Sequence, residues 1–128
     1  MSRLRLLLTI NSIVGILFGA VLVAAPGILF QLYGLPGGLG ADLFARLLGA
    51  ELLGLNLATW IVRSRPEGEG AAFAVLGHCV SESLGFAVAL GAALAHVGNG
   101  MVWSVVALFA LFAAANLYFF VAGGVRLR

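Results

Sequence analysis

Four long apolar stretches, broken by short polar or glycine-rich segments, account for almost the whole chain. The first runs from about Leu4 to Ala25 and stops at Pro26-Gly27, where proline and glycine both oppose continuation of a helix. The second covers about residues 41–62, the third about 71–95 and the fourth about 101–122. A spanning helix needs about 20 apolar residues, and each stretch supplies them. Between the first and second lies Gly27-Ile28-Leu29-Phe30-Gln31-Leu32-Tyr33, which is apolar but too short to span. It reads as a short helix in the interface, with Tyr33 near the headgroups and a flexible turn from Gly34 to Gly38. Arg63 to Gly70 forms the one strongly polar loop, and Gly98-Asn99-Gly100 a tight turn. The expected fold is all-α: a single-domain bundle of four transmembrane helices with a short interfacial segment after the first.

Composition agrees with this. Of the 128 residues, 62% are hydrophobic and 9% charged. A soluble domain carries roughly a quarter charged residues. Nothing supports nucleic-acid binding. The single Cys79 excludes an intrachain disulfide and a cysteine metal cage, and no metal site is expected. All seven basic residues are arginine, which with the excess of Ala, Gly and Leu points to a bacterial, GC-rich source.

The arginines also give a topology. Arg3, Arg5, Arg63, Arg65, Arg126 and Arg128 fall on one side of a four-span chain, and the other two loops carry no Lys or Arg. Basic residues are retained in the cytoplasm, so both termini are expected there, with the chain in a bacterial plasma membrane. A secretory signal peptide is the rival reading of the first 25 residues, but the apolar run is long for one and Asn11 interrupts it.

Polar groups inside the spans need a reason, because hydrocarbon penalises them. They are Asn11, Arg46, Glu51, Asn56, His78, Glu82 and Asn116. At ~1.5 Å per residue, Asn11, Asn56, His78 and Asn116 lie roughly 6–8 Å to the cytoplasmic side of the midplane. Glu51 and Glu82 lie near the midplane, and Arg46 about 8 Å to the outer side. All four spans therefore contribute to one polar layer. In the third, Ala74, His78, Ser81, Glu82, Gly85, Ala89, Ala92 and His96 form one stripe of small or polar residues, suited to close helix packing. His78 and Glu82 are one turn apart and can share a proton. Arg46 has a helical partner in Asp42 or can snorkel outward.

These residues frame the functional expectations. The leading one is a non-catalytic ligand-binding or accessory protein, with Glu51, Asn56, His78, Glu82, Asn11, Asn116 and Arg46 around a lipid-soluble ligand of quinone or isoprenoid type. An intramembrane isomerase would use His78 and Glu82 as its catalytic pair. A proton-coupled transporter would use Glu51 and Glu82, and would need an oligomer. The expected partners are membrane lipid, a hydrophobic small molecule, and either further copies of the chain or the subunits of a membrane complex. His78 and His96 are about 27 Å apart along one helix, so a haem would have to be held by His78 of two protomers.

The run Arg46-Leu47-Leu48-Gly49-Ala50-Glu51-Leu52-Leu53-Gly54-Leu55-Asn56 has the pattern R-x-x-G-x-E-x-x-G-x-N. With four short spans and the Pro26 stop, the chain resembles the small DoxX-like bacterial membrane proteins. That resemblance implies an association with quinone-linked redox systems or oxidative stress, and carries over no catalytic residue. His78-x-x-x-Glu82 is similar to a His/Glu pair of the emopamil-binding sterol isomerases, which have five spans.

Overall fold

The computed structural model describes residues 2–122, and within them the protein is entirely helical. The elements are α1 (Arg3–Ala24), α2 (Pro26–Tyr33), α3 (Leu39–Val62), α4 (Glu69–Leu94) and α5 (Val102–Val121). α1, α3, α4 and α5 are each long and apolar enough to cross a membrane. The expected boundaries hold to within a few residues. Arg126 and Arg128 lie outside the described residues.

Local chemistry sets the ends. Ser2 caps α1, its side chain accepting from Arg5 N–H at 3.2 Å. Ala25 leaves helical geometry and Pro26 opens α2, where a missing N–H costs nothing. Gly34 closes α2 with a left-handed φ of 65°, and Leu35 N–H returns to Phe30 O at 2.8 Å. The C-terminal end of α2 is thereby fixed. Asn99 ties it down: its side-chain amide donates to Leu32 O at 2.9 Å, and its backbone N–H to Tyr33 O at 2.8 Å.

The bundle consists of two tightly packed pairs, α1 with α3 and α4 with α5. In the first pair the backbones meet at glycines: a Cβ on Gly19 would come within 2.9 Å of Gly49 O, and one on Gly49 within 2.8 Å of Gly19 O. In the second, Gly85 receives the ring of Phe109, which a Cβ there would meet at 2.7 Å. The pairs join at both ends. Leu4, Leu8, Ala71, Ala74 and Val75 form one apolar cluster; Tyr33, Ala89, Ala93, Val102 and Val106 form the other. Tyr33 is thus packed against the bundle, with Asn99 holding the end of α2 in place.

The α4 stripe is an inner face. Ala74, His78, Glu82 and Ala89 are buried, whereas Phe73, Val80, Ala87 and Leu94 are exposed. The stripe ends early, since α4 stops at Leu94. His96 is exposed beyond it with a φ of 55°, so it does not share the face of His78.

Candidate functional site

Between the two apolar clusters the pairs diverge and enclose a cavity of about 450 Å³. Its walls are Val14, Phe18, Leu22, Leu52, Val105 and Phe109, with α2 and Leu35 among the lining. Asn11, Asn56, His78 and Glu82 line it too, as do Tyr33 and Ser81, in a largely apolar space. Phe44, Leu48 and Ser81 line the cavity and are exposed as well, so it opens sideways on the bundle surface there, with α3 on one side and α4 on the other.

The polar groups form a connected chain. Thr59 Oγ1 donates to Leu55 O at 2.8 Å and stands 3.0 Å from His78 Nε2. With its one hydrogen directed at Leu55, the hydroxyl accepts from His78 Nε2–H. His78 Nδ1 faces Glu82 Oε1 at 3.2 Å. Asn116 Nδ2 donates to Glu82 Oε2 at 2.8 Å and to Phe112 O at 3.0 Å. His78 and Glu82 thus stand in direct polar contact, one helical turn apart.

Both ring nitrogens of His78 are therefore engaged, and the ring is buried. Haem ligation would have to break one of these contacts, so the geometry speaks against the two-protomer haem. Among the described residues no three His, Cys, Asp or Glu side chains are grouped to hold a metal ion.

Three asparagines retain unused capacity. Both amide atoms of Asn11, Oδ1 of Asn56 and Oδ1 of Asn116 are buried without a protein partner. Asn56 Nδ2 is satisfied by Leu52 O at 2.8 Å. Asn11 and Asn56 belong to the cavity wall, although these unpaired atoms have no surface open to it, whereas Asn116 stands behind Glu82 and braces it. Gly15, one turn after Asn11, lies directly against the Asn56 amide, so the two asparagines are neighbours across α1 and α3.

Two expected site residues are elsewhere. Glu51 is on the exposed outer face of α3 and does not line the cavity. Helical phase explains this: Glu51 is five residues from Asn56, which turns it away by more than a quarter of a circle. Arg46 is also outside the cavity. Its guanidinium donates to Val23 O near the end of α1, instead of pairing with Asp42. It thereby satisfies a carbonyl that has no helical partner, with a cation at the negative end of the helix dipole. Glu51 and Glu82 therefore do not line one cavity within the single chain. Thr59 was missed by sequence reasoning, although Asn56 and Thr59 are three apart and share a face. Gly15-x-x-x-Gly19, a small-residue pair at helical spacing, was missed as well.

Comparison of the chain with known protein families, with curated proteins and with solved structures gives no match.

Proposed function

We propose that this protein is a membrane-embedded receptor or accessory protein that holds one lipid-soluble molecule in the cavity between its helix pairs. The polar end of that molecule meets Asn11, Asn56 and the His78–Glu82 pair, and its apolar body lies toward α2. The observation that carries this reading is an apolar cavity of about 450 Å³ whose lining includes the polar residues Asn11, Asn56, His78 and Glu82. The volume falls within the range of about 300–1,000 Å³ usual for small-molecule sites. The sideways opening fits a ligand that arrives from the bilayer. The likeness of the second span to DoxX-like proteins points the same way, to a quinone or isoprenoid. The protein would sit in a bacterial plasma membrane with both termini cytoplasmic, as a homo-oligomer or as a subunit of a larger membrane complex.

The test is native mass spectrometry of gently purified protein, with organic extraction of what it carries. The wild type should retain a stoichiometric lipid-soluble adduct, and Ser81→Trp, which fills the opening from an exposed position, should lose it. An adduct equally abundant in both would place the lipid outside the cavity and refute the reading.

The contact of His78 Nδ1 with Glu82 Oε1 at 3.2 Å favours a second reading, an intramembrane isomerase in which this pair moves a proton on the bound molecule. Glu82→Gln separates the two: a receptor keeps its ligand, whereas an isomerase keeps its ligand and loses turnover.

A further inference from the structure

We infer that the outward face of α3 is the contact surface of a homodimer, in which two copies pack Ala50, Gly54 and Ala58 against each other and pair their Glu51 carboxyls inside the membrane. The inference rests on the four long helices crossing the bilayer, and not on the cavity holding a ligand.

Glu51 is at the middle of α3, which runs Leu39–Val62, and it is exposed on the bundle surface. In a hydrocarbon core of about 30 Å, the middle of a span is about 15 Å from either edge, too far for a glutamate side chain to reach water. Among the described residues its carboxyl makes no hydrogen bond or ion pair, and Arg46, five residues earlier, is engaged at Val23 O. A carboxyl at that depth is costly when open to lipid, and such groups face protein. The surface around it allows close approach. Ala50, Gly54 and Ala58 follow one another at spacings of four and are all exposed, on the side opposite the buried Ala45, Gly49, Asn56 and Thr59. A Cβ on Gly54 would meet nothing within 4 Å. Outward residues of the other spans include Leu17, Phe73, Val88 and Leu111, large apolar side chains suited to lipid. The α3 face sets small residues beside an acid, the composition of a helix–helix contact in membranes.

Symmetry and chemistry both point to a second copy as the occupant. Copies inserted with one topology carry α3 in the same direction. A two-fold axis along the membrane normal then sets each Glu51 at the depth of the other, and Gly54 opposite Gly54. A carboxyl in its acid form has one O–H donor and an acceptor oxygen, so two of them satisfy each other. An unrelated partner would need a separate polar group at that level, whereas a copy brings one by symmetry.

Oxidative cross-linking in native membranes tests this, with single cysteines in a Cys79→Ser background. Ala50→Cys and Gly54→Cys should give a cross-linked dimer, and Val88→Cys, on the outward side of α4, should not. Gly54→Leu adds a second readout. The single chain has open space there, so its helical signal should persist while native mass spectrometry in mild detergent shows the dimer lost. Glu51→Gln, whose amide also donates and accepts, should keep the dimer, and Glu51→Leu should weaken it by about tenfold. Cross-linking as strong from Val88→Cys as from α3, or from none of these positions, would overturn the inference. So would a cross-linked product whose second member is a different protein. A dimer of unchanged strength in Glu51→Leu would overturn the pairing of carboxyls. Recovery of the chain in the soluble fraction would overturn the inference together with the membrane reading beneath it.

Discussion

Replacing Glu82 with glutamine and with leucine separates hydrogen bonding from charge at the centre of the bundle. Glu82 is 6% exposed, accepts from Asn116 Nδ2 at 2.8 Å and meets His78 Nδ1 at 3.2 Å. Glutamine preserves both contacts when His78 is neutral with its hydrogen on Nε2. The amide nitrogen then donates to His78 Nδ1 and the carbonyl accepts from Asn116. Leucine abolishes both. His78 Nδ1 is left unpartnered in a buried site, while Asn116 keeps its bond to Phe112 O at 3.0 Å. An orphaned buried group costs about 1–3 kcal/mol, and side-chain hydrogen bonds within membranes average about 0.6 kcal/mol each. Glu82→Leu should therefore lower stability by about 1–3 kcal/mol, and Glu82→Gln by less than about 0.6. The assay is reversible unfolding of the purified protein in mixed micelles of dodecyl maltoside and increasing dodecyl sulfate, followed by circular dichroism. If glutamine proves as damaging as leucine, the pair depends on charge and not on hydrogen bonding alone. A leucine variant as stable as the wild type would refute any stabilising part for the network.

Further consequences follow from the packing and the topology. Gly15→Ala drives a methyl group into the Asn56 amide, so it should destabilise by about 1–3 kcal/mol in the same assay, whereas Gly54→Ala, which meets nothing within 4 Å, should not. Gly85→Leu should displace Phe109 and disrupt the α4–α5 pair, while Val80→Leu on the exposed side should be tolerated; equal effects would mean that the inner face of α4 is misassigned. For orientation, a cysteine at Ser64 should be protected from an impermeant thiol reagent in intact cells and one at Gly38 should react. The reverse pattern would overturn the arginine argument.

The sequence was legible where a single helix carries the signal. Span ends followed from Pro26, the Arg63–Gly70 loop and the Gly98–Gly100 turn, because breakers act locally. The inward face of α4 followed from helical spacing, and depth counting brought Asn11, Asn56, His78 and Asn116 into one region. Depth does not give azimuth, however. Glu51 shares the level of Glu82 yet faces outward, since α3 turns its Asn56–Thr59 edge to the interior and has no room for both. Arg46 was expected to pair with Asp42 or to snorkel outward, whereas its partner is a carbonyl of another helix, Val23 O, a contact made by the pairing of α1 with α3. The unpaired amides of Asn11 and Asn56 were beyond reach of sequence reasoning for the same reason: satisfaction of a polar group is a property of the packed bundle.

Photo-crosslinking with a diazirine-bearing prenyl alcohol tests the central claim most directly, because it reports where the ligand lies. If the molecule occupies the space between the helix pairs, label should concentrate on the cavity-lining residues Val14, Phe18, Leu52 and Phe109, and excess unlabelled geranylgeraniol should suppress it. Label spread over the outward residues Phe73, Val80, Leu84 and Val88, unchanged by competitor, would mean that the chain merely dissolves in lipid and that its cavity binds nothing.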